Sequence, residues 1–561
     1  MQASLANGPT TPTDWQTVNW RQVNRRVRNL RRRIFRASQQ GDHRTVSRLQ
    51  KLMLRSYANR VQAVRRVTQS NHGKDTPGVD KVVVKTPAAR GQLVDELGSY
   101  QPWRALPLKR VSIPKANGKV RPLGIATIRD RALQAVVKNA LEPVWEAQFE
   151  AASYGFRPGR SCHDAMQKIY GLARGSSTKR WVLDADIQSA FDMVCQCHLV
   201  DTIGPIPGRE LIKQWLKAGY LEDGVLHDTL TGVPQGGVIS PLLLNVALHG
   251  MEAALGVRYD RRGQIIGPRA LVRYADDLVV FCQSREDATR AEEELNAWLA
   301  ERGLTLNREK TRIVHLTAGF DFLEFTVRQY RSTTTRSGYK VLITPSKESV
   351  QGMRTRLREE WRRLQGASVT VVVKQLNPII RGWAHYFRRQ CASKTFQSLD
   401  HFMWGREYRY VRRAHPKKSW TWCRRRYWGR FHPKRQDNWV FGSHEPGQCL
   451  LKFTWFPIER HVLVRGKASP DDPSLQDYWR RRQSSEVRYL SPSKQMLARR
   501  QRYLCPQCGE SLFNGEELQT HHLVPRRRGG TDAFPNLTLC HLYCHHQAHR
   551  TTSSTEPRAR C

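Results

Sequence analysis

The chain has 561 residues, with 93 Lys or Arg against 49 Asp or Glu, a formal net charge of +44 and a pI near 10.4. That length implies three or more domains, and that charge calls for a polyanionic partner, nucleic acid first among them. The sequence has no apolar run of about 18 residues and no signal-peptide pattern, so it reads as cytoplasmic with no membrane partner. Twelve Cys in so long a chain are not a disulfide scaffold, and their late clustering points to metal.

Residues 1 to about 70 are Arg-rich and helical in pattern. Val23, Val27, Leu30, Ile34 and Phe35 recur at helical spacing with arginines between them. Few acidic residues neutralise this face, so it reads as an RNA contact rather than a merely solvated surface. Lys74-Asp-Thr-Pro-Gly-Val-Asp80 is a turn-rich break. Ile113 to Ile125 reads as two strands joined by an Asn-Gly turn. Such a hairpin aims Lys115 and Arg121 at one point, which suits a triphosphate; two exposed basic residues on a strand are the competing view. In Ser153-Tyr-Gly-Phe-Arg157-Pro-Gly-Arg160-Ser161 the arginines are candidates for backbone phosphates or template.

Two acidic sites follow. Trp181-Val-Leu-Asp-Ala-Asp186 is a short apolar strand that ends in a carboxylate. Downstream, Leu271-Val-Arg-Tyr274 and Leu278-Val-Val-Phe-Cys282 are β-branched and aromatic-rich runs, with Asp276 and Asp277 between them. Each run reads as a strand, and Tyr-Ala-Asp-Asp falls where a tight hairpin turn belongs. Adjacent carboxylates repel unless a cation sits between them or one takes a proton. Carboxylates from two strands are what phosphoryl transfer needs to hold two Mg²⁺ roughly 3.5–4 Å apart. A solvated Asp-Asp turn is the bland alternative. Between the two sites, Thr231 to Pro241 is a Gly-rich loop that allows close backbone approach to a ligand.

Residues 346 to about 414 read as three helices. The first, Ser346 to Gln365, has Val350, Met353, Leu357, Trp361 and Leu364 on its apolar face. Residues 406–435 then hold twelve Lys or Arg, one acidic residue and seven aromatics, a mixture suited to phosphates and to stacking on unpaired bases. Residues 430–495 read as a DNA-binding region, with loop or linker signals at Ser469-Pro and Ser491-Pro.

The last sixty residues read as a separate module. Cys505-Pro-Gln-Cys508 and Cys540-His-Leu-Tyr-Cys544 suit a structural tetrahedral zinc. The second pair is spaced by three where two is usual, so either Cys540 or His541 is the fourth ligand. Between the pairs lie His521-His522, Gly529-Gly-Thr-Asp532 and Asn536; His545 and His549, four apart, share a helix face. A zinc ribbon that only binds DNA is the alternative.

Taken together, Tyr274-Ala-Asp-Asp277 and Asp186-Ile-Gln-Ser-Ala-Phe191-Asp192 resemble the two palm motifs of reverse transcriptases in the form carried by group II intron-encoded proteins. The Pro77-Gly-Val-Asp80 segment, the Ser153 block, Pro234-Gln-Gly236, Gly303 to Thr311, Phe320 to Phe325 and Gly382-Trp-Ala-His-Tyr-Phe387 are similar to further blocks of that family, in family order. Glu324 stands where the family commonly has Gly. The His-His…Asn…His order resembles HNH nucleases.

The resemblance implies a multidomain α+β protein: a right-hand polymerase with fingers and palm, a helical thumb, a basic DNA-binding region and a small zinc-containing HNH module of the ββα-metal type. The implied divisions are a basic helical extension over 1–85, fingers and palm over 86–335, a thumb or maturase domain over 340–428, a DNA-binding region over 429–495 and the nuclease over 496–561. Asp186, Asp276 and Asp277 would hold two Mg²⁺. Lys115 and Arg121 would clasp the incoming nucleotide, Gln235 would touch template or nucleotide, and Phe191 would exclude a ribonucleotide 2′-hydroxyl (a buried core Phe being the other view). In the nuclease, His522 would be the general base, Asn536 would orient the base's backbone loop or the ion's shell, and His521 with His545 or His549 would hold one Mg²⁺ or similar ion, while Cys505, Cys508, Cys544 and Cys540 or His541 hold zinc. The implied partners are intron RNA, target DNA and dNTPs, in a bacterial cytoplasm or an organelle. Competing readings are a non-catalytic splicing cofactor, which intact Asp186, Asp276 and Asp277 oppose, and a retron or defence-type enzyme, which the thumb block and terminal nuclease oppose.

Overall fold

Two apolar runs separated by two residues pair as an antiparallel hairpin, Ala270–Tyr274 with Asp277–Cys282, and Trp181–Asp186 and Arg312–His315 extend it to four strands. In this computed structural model residues 11–99, 103–114, 120–175, 177–443 and 449–553 are described. Both faces of the sheet are buried, which is why its inner strands read as unbroken apolar runs rather than alternating ones. Val182, Val272, Val279 and Phe281 face one core with Met166 and Ile169 of the helix Cys162–Ala173. Leu183, Leu271, Leu278 and Val280 face the other, with Leu295 and Leu299 of the helix Arg285–Ala300.

The first core continues through a three-stranded sheet, Phe320–Phe322, Phe325–Arg331 and Tyr339–Pro345, into three helices, Lys347–Arg363, Val369–Phe387 and Ser393–Ala414. The two-residue turn of the Phe320 hairpin takes its left-handed conformation at Leu323 (φ 55°), not at Glu324. The chain beyond residue 430 is largely irregular and adds Leu450, Phe453, Val464 and Trp479 to the same core. Buried Asp164 anchors it, accepting from His461 Nε2 (2.9 Å), the Val464 amide (2.9 Å) and Arg482 Nη2 (2.8 Å). Ser491-Pro is no linker: Ser491 precedes the helix Pro492–Arg500, with Pro in its first turn, where the missing N–H costs nothing.

At the N-terminus Trp20–Gln39, His43–Arg55 and Tyr57–Arg65 pack on the helix Ile128–Glu146. Val23, Val27, Ile34 and Phe35 are buried, as their spacing required. Arg21, Arg25, Arg26, Arg33 and Arg36 point to solvent. Arg31 instead turns inward to Asp471 (2.6 Å) and Glu142 (2.9 Å).

The C-terminal module is a hairpin, Leu518–His522 with Leu537–His541, followed by the helix Leu542–Ser553. Its apolar side shares one core with the N-terminal helices: Cys505, Cys508, Leu512, Leu539 and Cys544 cluster with Trp20, Val61 and Val64. Arg28 pairs with Glu510 (2.9 Å), Arg65 with Glu516 (3.1 Å), and Lys74 donates to the Tyr543 hydroxyl (2.9 Å). Among the described residues no helix is long and apolar enough to cross a membrane.

Candidate active sites

Strand register sets the first site. Asp186 ends its strand directly opposite Asp277, which opens the neighbouring one, and Asp276 lies in the two-residue turn beside it. Burial, then the Asp276 and Asp186 carboxylates, push Asp277 up to about 7. Burial and Asp186 raise Asp276 too, against a pull from Arg121. Three carboxylates crowded so that Asp276 and Asp277 are pushed above the usual carboxylate range are a donor set for hard divalent cations. Lys310 Nζ donates to Asp186 Oδ2 at 2.8 Å, and the Asn307 amide donates to the Asp186 carbonyl at 2.8 Å.

The turn itself is strained: Ala275 has φ 60°, a region a β-carbon disfavours. Buried side chains hold it there. Arg273 Nη1 donates to the Ala275 carbonyl (3.2 Å) and to Asn245 Oδ1 (3.1 Å), and Asn245 Nδ2 donates to the Gly155 carbonyl (2.8 Å). Gly155 presses on the turn so closely that a β-carbon there would lie 2.4 Å from the Ala275 nitrogen. Burial lowers Arg273 to about 10. Burial alone would raise Glu150, but His249 and Arg273 hold it down at about 2.

Around the carboxylates, the Val233 amide donates to the Phe191 carbonyl (2.6 Å), Gln235 Nε2 to Asp192 Oδ2 (3.1 Å), and the Gly124 amide to the Gln235 carbonyl (2.7 Å). Phe191, Gln235 and the Val120–Ile125 strand that carries exposed Arg121 therefore converge. Phe191 is half-buried and meets the exposed ring of Phe156 edge to face at 6.2 Å. Lys115 lies outside the described residues. Arg157 and Arg160 do not face a template. Arg157 is buried against Glu146 (3.0 Å) and the Glu150 and Ser153 carbonyls, and Arg160 donates to the carbonyls of Ala151 and Gly466.

The second site has two clusters. Ligand atoms of Cys505, Cys508, His541 and Cys544 lie within 4.8 Å of one another, all four residues buried. Three thiols and an imidazole fit zinc. His541 Nε2 is 3.1 Å from the Ser511 carbonyl, which fixes the ring and leaves Nδ1, 3.3 Å from Cys508 Sγ, for the metal. Of Cys540 and His541, both open as the fourth ligand, it is His541 that joins the four mutually close atoms, while the Cys540 thiol meets Cys505 and lies outside that set. His541 closes its strand and Cys544 lies in the first turn of the helix that follows.

His521, His545 and His549 form the other cluster, again within 4.8 Å. His521 Nδ1 is buried without a hydrogen-bond partner. Burial and then His549 lower His521, and burial followed by the other two imidazoles lowers His545 to about 4. His549 Nε2 lies 3.1 Å from His545 Nε2, and three imidazoles gathered so closely are a donor set for a metal ion. His522 points the other way along the strand, its Nε2 2.7 Å from Asp532 Oδ1, and Arg526 also holds Asp532. Asn536 clamps the loop after His522: its Oδ1 accepts from the Val524 amide (2.7 Å), and its Nδ2 donates to the carbonyls of Val524 (3.0 Å) and Thr531 (2.8 Å). Sequence reasoning gave no role to Lys310, Arg273, Asn245 or Asp532. For Asp532 the Gly-Gly-Thr-Asp turn was the available signal; Arg273 and Asn245 had none.

Residues 113–336 match the reverse transcriptase (RNA-dependent DNA polymerase) family, 15–97 the N-terminal domain of reverse transcriptase, 350–428 the group II intron maturase-specific domain and 505–551 the HNH endonuclease family. Protein YkfC of Escherichia coli is 37% identical over 308 residues, 48% of this chain and 80% of that protein. The group II intron-encoded protein LtrA of Lactococcus lactis subsp. cremoris is 30% identical over 380 residues, 55% of this chain and 61% of LtrA, so the chain spans about three fifths of LtrA. Maturase-like protein 1 of Euglena gracilis is 27% identical over 380 residues, 67% of this chain and 77% of that one. The chain belongs to the group II intron-encoded reverse transcriptases, in the form that joins a polymerase, a maturase-specific domain and an HNH endonuclease.

Proposed function

We propose that residues 86–335 act as fingers and palm, 340–428 as thumb and maturase domain, 429–495 as a DNA-binding region and 496–561 as the nuclease, behind a basic extension over 1–85. The protein copies RNA into DNA from a primer made by its own nuclease. The observation that carries the polymerase reading is Asp186 opposite Asp277 with Asp276 in the adjoining turn. These three carboxylates would hold two Mg²⁺. The ions supply the charge that activates a 3′-hydroxyl and neutralises a triphosphate. Arg121, with Lys115, binds that triphosphate; Gln235 abuts the new base pair; Phe191 screens the sugar. Asp276→Ala should abolish primer extension on an RNA template, and full extension by that variant would sink the assignment.

In the nuclease, His522 takes the proton of the attacking water, kept in the right tautomer and orientation by Asp532. Asn536 fixes the loop behind it. His521, His545 and His549 would hold one divalent ion, which stabilises charge on the scissile phosphate. A general base is worth roughly 10²–10⁴ in rate, so His522→Ala should nearly eliminate nicking of target DNA with zinc retained. Wild-type nicking by that variant would leave a DNA-binding ribbon only.

The maturase role needs binding that favours folded intron RNA over unfolded RNA, supplied by the N-terminal basic face and the helical bundle. Deleting residues 1–70 would destroy the core shared with Ile128–Glu146. Reversing exposed Arg25, Arg26, Arg33 and Arg36 to Glu is the cleaner test and should impair splicing, whereas Asp276→Ala should not.

A further inference from the structure

A cavity of about 1060 Å³ opens in the helical bundle, far in sequence from the carboxylates and the histidines. Arg362 enters it from the first bundle helix, Arg406, Arg409 and Arg413 from the third, and Arg426 from the short helix Trp420–Tyr427. Residues 406, 409 and 413 are spaced by three and four, so they share a helix face. Among the described residues no Asp or Glu lines the cavity. Glu360, one turn before Gln365, is occupied by Arg363 at 2.7 Å.

Five cations converging without a carboxylate repel one another. Burial, then Arg409, Arg358 and Arg362, lower the pKa of Arg406, and its buried Nε has no hydrogen-bond partner. Arg406 is half-buried among them, while Arg362, Arg409, Arg413 and Arg426 remain exposed to solvent. Here the walls are concave and aromatic, and the rings are fixed: the Tyr410 hydroxyl donates to the Ala367 carbonyl, and His415 Nε2 lies 2.7 Å from the Tyr427 hydroxyl. The first turn of the 19-residue helix Val369–Phe387, whose Val371 amide donates to Ser368 Oγ (3.4 Å), forms part of the wall and adds positive potential. Ser443 Oγ, also in the wall, is buried with no partner.

We propose that this cavity receives an unpaired RNA nucleotide turned out from a bulge or loop, and so deepens the maturase reading on which it rests. Arg406, Arg409 and Arg413 take the phosphates, the base lies among Tyr410, Tyr427 and His415, and Ser443 meets a sugar or base-edge group. The cavity is a half-open cleft, and a duplex is too wide to enter one of this volume. A splayed nucleotide fits, and RNA is read in proteins mainly through such unpaired bases stacked on aromatic and guanidinium planes. This recognises folded RNA by its loops, whatever the sequence of its helices.

The test uses the full chain and three probes: an RNA hairpin with a short bulge, the same hairpin fully paired, and the bulged hairpin as DNA. The wild type should prefer the bulged RNA to each other probe by about tenfold, the weight of one stacked base. Arg409→Ala/Arg413→Ala should lose that preference, with the slope of log affinity against log salt shallower by about 0.7 for each arginine removed. A thiouridine in the bulge should crosslink to residues 406–415 in the wild type, a readout that needs no variant to fold. Equal binding of bulged and paired RNA, crosslinks elsewhere, or a preference retained by the double variant would each overturn the proposal, and equal binding of bulged DNA would overturn its assignment to RNA. A wild-type chain that prefers the bulged RNA, loses that preference in the double variant and yet gives no splicing assistance would count against the maturase reading instead, and leave the cavity a nucleotide site.

Discussion

The two catalytic regions achieve precision in different ways. The aspartates are placed by backbone register, on inner strands of a sheet whose two faces are both buried. The nuclease histidines stand on a two-stranded hairpin and one helix whose core is completed by helices more than 400 residues away in sequence. A sheet fixes its side chains by many cooperative hydrogen bonds. A hairpin of five residues per strand does not hold itself, and the small module depends on its Cys₃His cluster and on a borrowed surface. The first site should therefore fail through backbone displacement, and the second through loss of metal.

The largest effect should come from Cys505→Ser. Binding of a structural metal is folding free energy, so this variant should lose zinc by metal analysis and lose nicking altogether. Because Arg65 bridges Glu516, Cys544 Sγ (3.6 Å) and the Trp20 ring, the damage should reach the N-terminal helices. Hydrogen exchange over 20–65 should rise. Unchanged protection there would show the shared core to be incidental, and the comparison would lose its second half.

Gly155→Ala attacks the other site. The added carbon would meet backbone atoms of Tyr274 and Ala275, at 2.9 and 2.4 Å, which cannot step aside as a flexible side chain can. A displacement of about 1 Å costs roughly 10²-fold in rate, so primer extension should fall by about that factor while nicking stays at its wild-type rate. Near-normal extension would mean that register alone suffices and that the Arg273–Asn245–Gly155 frame is dispensable.

Asp532→Asn is a smaller perturbation. It keeps the hydrogen bond to His522 but removes the negative charge beside the ring, and partners of this kind are worth about 10–100-fold. Nicking should drop by about tenfold, with no loss of zinc. Wild-type nicking by this variant would reduce Asp532 to a loop anchor.

Local patterns carried much of this in the sequence. Two β-branched runs two residues apart give a hairpin, and an apolar stripe at 350, 353, 357, 361 and 364 gives a helix. What was not legible depended on distant partners. Arg157 looks like a phosphate ligand because it precedes Pro-Gly, but its acid, Glu146, lies in the preceding helix with no spacing to announce it. The strain at Ala275 is invisible because Ala carries no turn signature; Gly155 and Arg273 impose it. Spacing left Cys540 and His541 both open as the fourth zinc ligand, and only the tertiary approach of the Cys505 and Cys508 thiols singles out His541. Joining the terminal module to the first helices could not be read at all, since every contact is tertiary.

The smallest expected effect isolates the cause of the raised carboxylate in the polymerase site. Glu407, buried in the helical bundle, is also pushed up to about 7, but by burial, with only Trp428 Nε1 donating to it (3.1 Å) and no acidic cluster around it. Asp277 reaches the same value with two like charges beside it, a situation a cation relieves; Glu407 has no such remedy. Its folded pKa exceeds its unfolded one, so between about 4.5 and 7 the folded chain holds a proton that the unfolded chain releases. Stability from this group is present below that window and declines as pH rises through it, by at most about 3 kcal/mol. Glu407→Gln keeps the acceptor and removes the titration. Its thermal midpoint should match the wild type near pH 5 and exceed it near pH 8, in Mg²⁺ and in chelator alike. A wild-type decline that Mg²⁺ abolishes would trace it to Asp277 and its neighbours, and the buried bundle carboxylate would then be no control for the polymerase site.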